Sequence, residues 1–457
     1  MTKQKILLIG FVFLVLLIVA WYMSGCPLAS KCPFVRFEKE PPPKVVLLFV
    51  GHSDDESDWQ EIISKFNAYK KLPENGYLDV IIKYERVCNP ICNQDDYENI
   101  VREKQFEDIG PNIFMAYNSW FPRYKEKLLP APKEMMNLAE FENTFARVTK
   151  NDLTDDEGNI YALPFYVDTL ALYYDNDAFL NESFIRPPAS WDEFEKYVEK
   201  LTILDDDGNI LRAGVAFGGG KNVNRSQDIL MLLVMQNNIG NEGIESLVSF
   251  KNGGSSAAIN FYTDFTNPQK RYYTWNEDQI YSIDAFTQKK AAMMINYSHH
   301  IENVIDKTGN NLNFKIAPIP QLDKNKKINY ASYWVPVVPE KAPCRKDIGI
   351  KADCYNLSWE FLNFAAKKEN AKLYLDATKK PAANLELAQE QFTDFNDQRS
   401  VFAGQVFTAM GWEHPNSSLS DKVLVEMIDS IITNDWRFRK SIFEAMTVAS
   451  RYIGSLN

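Results

Sequence analysis

The sequence is short of histidine, with four in 457 residues, at 52, 299, 300 and 414. No two of them have the H-E-x-x-H spacing or another zinc-hydrolase signature, so no metal centre is expected. Positive charge is also scarce, with 50 Lys plus Arg against 61 Asp plus Glu and a net charge of −11. A sequence-independent grip on phosphate backbones is therefore excluded, and with it a nucleic-acid partner. The glycine-rich stretch AGVAFGGG at 213–220 has no Lys-Ser/Thr in Walker spacing, so it is not a nucleotide loop. The acidic stretches DDEGN at 155–159 and DDDGN at 205–209 lack the sixth-position Gly and twelfth-position Glu of an EF-hand. They read as turn punctuation. Aromatics, by contrast, are plentiful at 13 %, and the length suits two or three domains.

There is one long apolar run, residues 6–23, preceded by Lys3 and Lys5. That is the layout of an export signal. Met23-Ser24-Gly25-Cys26 resembles a bacterial lipobox, with Met where Leu is usual, which makes Cys26 the lipidation candidate. The run is also near the minimum for a membrane-spanning helix left uncut. Residues 1–25 are thus a signal peptide or membrane anchor, and both readings anchor the protein. Residues 26–43, with Pro41-Pro42-Pro43, form a stiff tether. No second apolar span follows, so a permease subunit or membrane sensor is not expected.

Cys88 and Cys92 flank a short segment, and Cys344 and Cys354 enclose a polar loop. Each pair reads as a local disulfide of an oxidising compartment. Cys26 and Cys32 remain: with lipid on Cys26, Cys32 is unpaired, and with an uncut helix the two can pair. A metal reading of Cys88 and Cys92 fails for want of a nearby His or further Cys.

The body alternates strand and helix. The run VVLLFV at 45–50 reads as a buried strand closed by Gly51, His52, Ser53 and Asp54. Trp59, Ile62, Ile63, Phe66 and Tyr69 then fall on one helical face, with Asp54, Ser53 or Ser57 to cap it. Strands at 78–84 and 112–116 enclose a helical stretch at 97–106. Helices follow at 227–238, 255–265 and 358–367, and 423–453 is mostly helical. This alternation argues for a parallel sheet with its ligand site at the carboxyl ends of the strands.

The segment IYALPFYVDTLALYYD at 160–175 strongly resembles the first interlobe crossing of family 1 extracellular solute-binding proteins, the maltose-binding-protein-like group of ABC transporters. PPASWDEF at 187–194, AAMMINYS at 291–298, FKIAPIPQ at 314–321, YASYW at 330–334 and WEFL at 359–362 continue the resemblance in order. It implies an α/β, two-lobed periplasmic-binding-protein-like fold of type II, each lobe a mainly parallel sheet flanked by helices. Three interlobe crossings are expected near Phe165, Asn329 and Pro381. Lobe one would be residues 44–165 with 329–380, and lobe two residues 166–328 with 381–457. The stretch 75–93 is longer than a minimal member needs, and its cysteines are not part of the family pattern.

A sugar presents apolar C–H faces, which lie on aromatic rings, and hydroxyls, which both donate and accept hydrogen bonds. The positions matched to ligand contacts have suitable types. Asp54 lies in the first strand–helix loop, where a helix cap is the competing role. Asn118 and Trp120 follow the third strand, and Tyr166 and Asp168 lie at the crossover. Asn222 and Asn224 follow the glycine stretch, and Tyr297, Ser298 and His299 follow the Met293-Met294-Ile295 strand, with His300 read as solvated. Trp334 and Trp412 are cleft or core, and Trp275 is a weaker candidate.

The resemblance implies a non-catalytic, membrane-anchored protein at the extracellular face or in the periplasm. It would capture a carbohydrate in an interlobe cleft and pass it to ABC permease subunits, with no cofactor. Two alternatives stay open: the same fold binding a polyamine, peptide or other solute, and a secreted carbohydrate-active enzyme. No two acids stand in a catalytic motif, which disfavours the enzyme. Asp54 and Asp168 suit a neutral sugar or a cation better than an anion.

Overall fold

Alternate residues of the first strand point to opposite faces, and burial follows: Val45, Leu47 and Phe49 are wholly buried while Val46 and Leu48 are half-buried. The computed structural model describes residues 41–457 except 89–91, 107–109, 238–253, 310, 342, 348–351, 413–416, 436 and 456–457, with Val15 the only one of the first forty. The export-signal run apart from Val15, and both Cys26 and Cys32, therefore lie outside the described residues. Among those described, no helix is long and apolar enough to cross a membrane.

Strand β1 (Lys44–Gly51) runs parallel to β2 (Asp79–Arg86) along its whole length and parallel to β3 (Ile113–Tyr117) at its end. Strand Trp334–Val337 adds antiparallel to β3, and the short strand Arg345–Lys346 lies antiparallel to the start of β1. Helix Glu56–Lys70 covers this sheet with Trp59, Ile62, Ile63 and Phe66, and Trp59 meets Phe49 edge-on at 4.9 Å. Tyr69, expected on the same face, is 41 % exposed at the rim. The cap of this helix is Asp55, whose backbone N–H donates to Asp58 at 2.9 Å. It is none of the residues expected; Asp54 is bound elsewhere.

The second sheet is centred on strand Ala171–Asp175, which runs antiparallel to both Met293–Asn296 and Phe314–Ala317. Parallel pairing is confined there to bridges from Ala213 to Ala291 and from Ala216 to Met294. Both of its neighbours come from far later in the chain, beyond several helices, so its direction is set by those long connections and is opposite to the expected one. The apolar side chains form two main cores. One draws on residues 45–167 and 331–388 with Val406 and Ala409, the other on 170–330 and 412–453.

The three segments expected as crossings lie side by side. Thr169 and Asp168 pair with Ala331 and Ser332, Val167 donates to the Pro381 carbonyl at 3.1 Å, and Ala383 donates to that of Phe165 at 3.1 Å. Both acidic Gly-Asn stretches are turns. Asp155 Oδ1 accepts from the backbone of Glu157 and Asn159, Asp205 Oδ1 does the same for Asp207 and Asn209, and Gly158 and Gly208 supply the positive φ. The disulfides Cys88–Cys92 and Cys344–Cys354 are both formed.

Candidate functional site

β1 ends at Gly51, where a Cβ would lie 1.9 Å from the Tyr84 hydroxyl oxygen, so only glycine lets that ring close over the strand end. The Tyr84 hydroxyl then donates to the Asp54 carbonyl at 3.0 Å. This fixes residues 52–55 along one wall of a cavity of about 860 Å³, within the range of a small-molecule site. Asp58, Ser298, His299, Ile301, Glu302 and Ile305 also line it; Tyr166, Asp168, Ser332 and Trp334 come from the crossings, and 377–380, Asp394 and 396–399 complete the lining.

Six of the expected residues meet here: Asp54, Tyr166, Asp168, Ser298, His299 and Trp334. Asp168 is buried, and its Oδ1 accepts from the backbone N–H of Thr169 at 2.9 Å and of Ser298 at 3.0 Å. Its Oδ2 accepts from Ser298 Oγ at 2.8 Å and lies 3.3 Å from His299 Nδ1. The carboxylate thus ties the crossing to the turn carrying His299, whose ring lies nearly parallel to Tyr297 and is about half exposed. It orients the wall and has few lone pairs left for a solute.

Asp54 is neither a cap nor a bare acceptor. Its Oδ1 is 2.5 Å from Lys380 Nζ and its Oδ2 accepts from the Tyr374 hydroxyl at 2.6 Å. Burial opposes its ionisation, but the charge and hydrogen bond of Lys380 and the Tyr374 hydroxyl outweigh that and hold its pKa below the ordinary carboxylate value. Lys380 also lies 4.3 Å from the centre of the Tyr166 ring, in cation–π range. The Tyr166 hydroxyl accepts from the Trp334 backbone N–H at 3.1 Å.

Seven expected residues lie off the cavity. Asn118 is buried, donating to Asp152 at 3.0 Å and accepting from the Tyr333 backbone. Trp120 and Trp412 are 2 % and 5 % exposed and pack in the first and second core respectively, where indole area is removed from water. Asn222 braces a loop by donating to the carbonyls of Asn276 and Gln279 and accepting from Trp275 Nε1. Trp275 is itself fully buried. Tyr297 is buried beneath His299 with its hydroxyl donating to Asp228 at 2.6 Å. Asn224 spends its amide on the Tyr281 hydroxyl at 2.6 Å. His300 is half-buried, not solvated, and burial pushes its pKa well below 6.5.

Sequence reasoning passed over His52 as a site residue. Its ring stacks on Trp334 at 4.0 Å and meets Tyr97 edge-on at 5.0 Å. Burial lowers its pKa from 6.5 to about 4, against an opposing contribution from Asp54. The ring also comes within 4.8 Å of the sulfurs of Cys88 and Cys92. A histidine does therefore stand near that pair, contrary to expectation, but both sulfurs are bonded to each other and neither is a thiolate. Lys379, Lys380 and Arg399 were missed as well; the only signal for them was basic residues beside the third crossing.

Charges on the lining cancel only in part. Lys380 holds Asp54, and Arg399 holds Asp397. Asp58, Asp168, Glu302 and Asp394 have no Lys or Arg at salt-bridge distance among the described residues, and neither does Lys379 have a carboxylate. Burial raises the Asp58 pKa. The cavity therefore carries a negative excess.

Residues 68–398, more than half of the chain, match the family described as bacterial extracellular solute-binding protein. Among solved structures, the sugar-binding protein MalE from Xanthomonas citri is similar over 90 % of this chain and 97 % of its own, at 13 % identity and a TM-score of 0.68. A cyclo/maltodextrin-binding protein complexed with maltotetraose is similar over 90 % and 96 %, at 15 % identity and a TM-score of 0.66. MalE from Listeria monocytogenes in complex with maltose is similar over 90 % and 98 %, at 15 % identity and a TM-score of 0.65. At these identities the likeness establishes the two-lobed α/β fold.

Proposed function

The chain belongs to the bacterial extracellular solute-binding protein family, and from that premise we propose that it captures a neutral carbohydrate in the cavity lined by His52, His299 and Trp334 and delivers it to an ABC permease. The two lobes are residues 44–165 with 329–380 and 166–328 with 381–457, closing by bending at the paired crossings. The N-terminal segment anchors the protein at the extracellular face or in the periplasm, through lipid on Cys26 or as an uncut helix.

The observation that carries this reading is that the half-exposed His299 ring, on the turn held by Asp168, lines the same cavity as the stacked rings of His52 and Trp334. Flat ring surfaces beside polar groups match the two kinds of surface a sugar offers. The role is binding and not catalysis. Asp54 and Asp168, the acids singled out in the sequence, are held by protein donors and do not stand as an acid–base pair across a vacant bond position.

A second reading, a cationic solute such as a polyamine, is favoured by the negative excess of Asp58, Glu302 and Asp394. The test is mass spectrometry of the solute that copurifies with untreated protein, followed by calorimetric titration with a panel of neutral sugars and polyamines. Saturable heat with a neutral sugar and none with polyamines is expected; the reverse would overturn the carbohydrate assignment.

A further inference from the structure

The stretch 75–93 is longer than a minimal family member needs, and its disulfide stands beside His52 of the solute cavity. Cys88 is 1 % exposed, its backbone N–H donates to the His52 carbonyl at 3.2 Å, and Val87 donates to that of Gly51 at 3.2 Å. The side chains of Cys88, Cys92 and His52 lie within 4.8 Å of one another. Arg86 extends the connection: its Nε donates to the Cys88 carbonyl at 2.9 Å while its guanidinium pairs with Asp55. Two residues of the cavity wall, His52 and Asp55, are thereby joined to one disulfide-closed segment.

The imidazole of His52 depends on that contact. Its Nδ1 is buried without a hydrogen-bond partner among the described residues. A ring with no directional bond at that atom is held by its neighbours' surfaces: Trp334 on one face, the Tyr97 edge and the sulfurs. Removing one support lets it turn toward water, since burying an unsatisfied polar atom is costly.

We propose that the Cys88–Cys92 disulfide is a positioning strut for the solute cavity, holding His52 flat on Trp334 and Asp55 in register, so that opening it weakens solute binding. This rests on the cavity being the solute site. Neither disulfide lines the cavity itself; the second is a built-in control because its sulfurs do not share the cluster that Cys88 and Cys92 form with His52.

The experiment uses the full-length protein with its disulfides formed, the same protein after dithiothreitol, and the Cys88→Ser/Cys92→Ser and Cys344→Ser/Cys354→Ser double variants. Dithiothreitol supplies two electrons and two protons, giving two thiols while it closes to its own disulfide. EDTA is present so that released thiols and His52 do not capture zinc. With four histidines in the chain, each imidazole can be followed by NMR, His52 being identified by its loss in His52→Gln. In the oxidised protein the His52 signal should stay unprotonated down to about pH 5, consistent with a pKa of about 4. Opening Cys88–Cys92 should move its midpoint up toward 6.5, while opening Cys344–Cys354 should leave it in place. Maltose, titrated in parallel, should bind roughly tenfold more weakly when Cys88–Cys92 is open. An unchanged His52 midpoint would overturn the strut. Failure of maltose to bind the oxidised protein would count against that sugar as the solute, and the histidine titration decides the strut independently of it.

Discussion

Lys380 Nζ stands 2.5 Å from Asp54 Oδ1, an ion pair between the loop after β1 and the third crossing. Both side chains are close to nine-tenths buried. Removing one member strands the other charge away from water, which costs about 3–5 kcal/mol. Lys380→Met should therefore destabilise the protein by about that amount in urea unfolding at pH 7, and Lys380→Met with Asp54→Asn should recover much of it. Because the folded-state pKa of Asp54 is depressed, its contribution is present above the ordinary carboxylate pKa and is lost as acid titrates the folded protein. Additive losses in the double variant would show that the pair is not coupled.

His52 sets a different pH window. Its pKa is about 4 in the folded protein against 6.5 when free, so between those values the unfolded chain binds a proton that the folded one does not. Stability then falls as pH falls through that window. From pH 7 to pH 5 the share of His52 is about 2 kcal/mol. His300, also shifted down by burial, acts with the same sign, whereas the raised Asp58 and Asp421 act against it. The comparison that isolates His52 is wild type against His52→Phe, whose urea midpoint should change less between the two pH values. Equal pH dependence in both would show that His52 is protonated normally when folded.

Local patterns carried much of this architecture. The alternation of Val45, Leu47 and Phe49 and the helical spacing of Trp59, Ile62 and Phe66 mark the first strand and its covering helix directly, since both periods are set by backbone geometry. The motif around Asp168 and the residues Ser298 and His299 were legible through the family resemblance, and they do line the cavity. What was not legible depends on partners distant in sequence. Nothing near Asp54 announces Lys380, and Trp120, Trp334 and Trp412 look alike until packing buries the first and last in separate cores. The antiparallel direction of Ala171–Asp175 was hidden for the same reason, because strand direction is a property of the connection and not of the strand's own residues.

Asp168 is a positioning residue for the His299 wall, and its removal should reach binding through Ser298. Asp168→Asn keeps the shape but replaces one accepting oxygen with an N–H that faces the Ser298 or Thr169 donors. Hydrogen bonds to a charged group contribute about 1.5–3 kcal/mol each, so a loss of about 2 kcal/mol in stability is expected by urea unfolding. Solute affinity should fall alongside. Ser298→Ala removes only the 2.8 Å hydroxyl bond and should be milder on both measures. A stable Asp168→Asn protein with unchanged affinity would show that the clasp does not shape the site.

The charge left on the lining makes a prediction about which solutes are refused. With Lys380 and Arg399 paired and Asp55 held by Arg86, Asp58, Asp168, Glu302 and Asp394 are left against Lys379 alone. An anionic sugar entering the cavity meets more repulsion than attraction, and a neutral one meets neither. A uronate should accordingly bind at least roughly tenfold more weakly than the matching neutral sugar in calorimetry. The gap should narrow as ionic strength rises, because part of the lining is exposed and the Debye length falls from about 10 Å at 0.1 M to about 3 Å at 1 M. Glu302→Gln with Asp58→Asn should narrow it at low salt without changing affinity for the neutral sugar by more than a small factor. Preferential binding of the uronate by wild type would mean that Lys379 and Arg399, not the carboxylates, set the field that the solute meets.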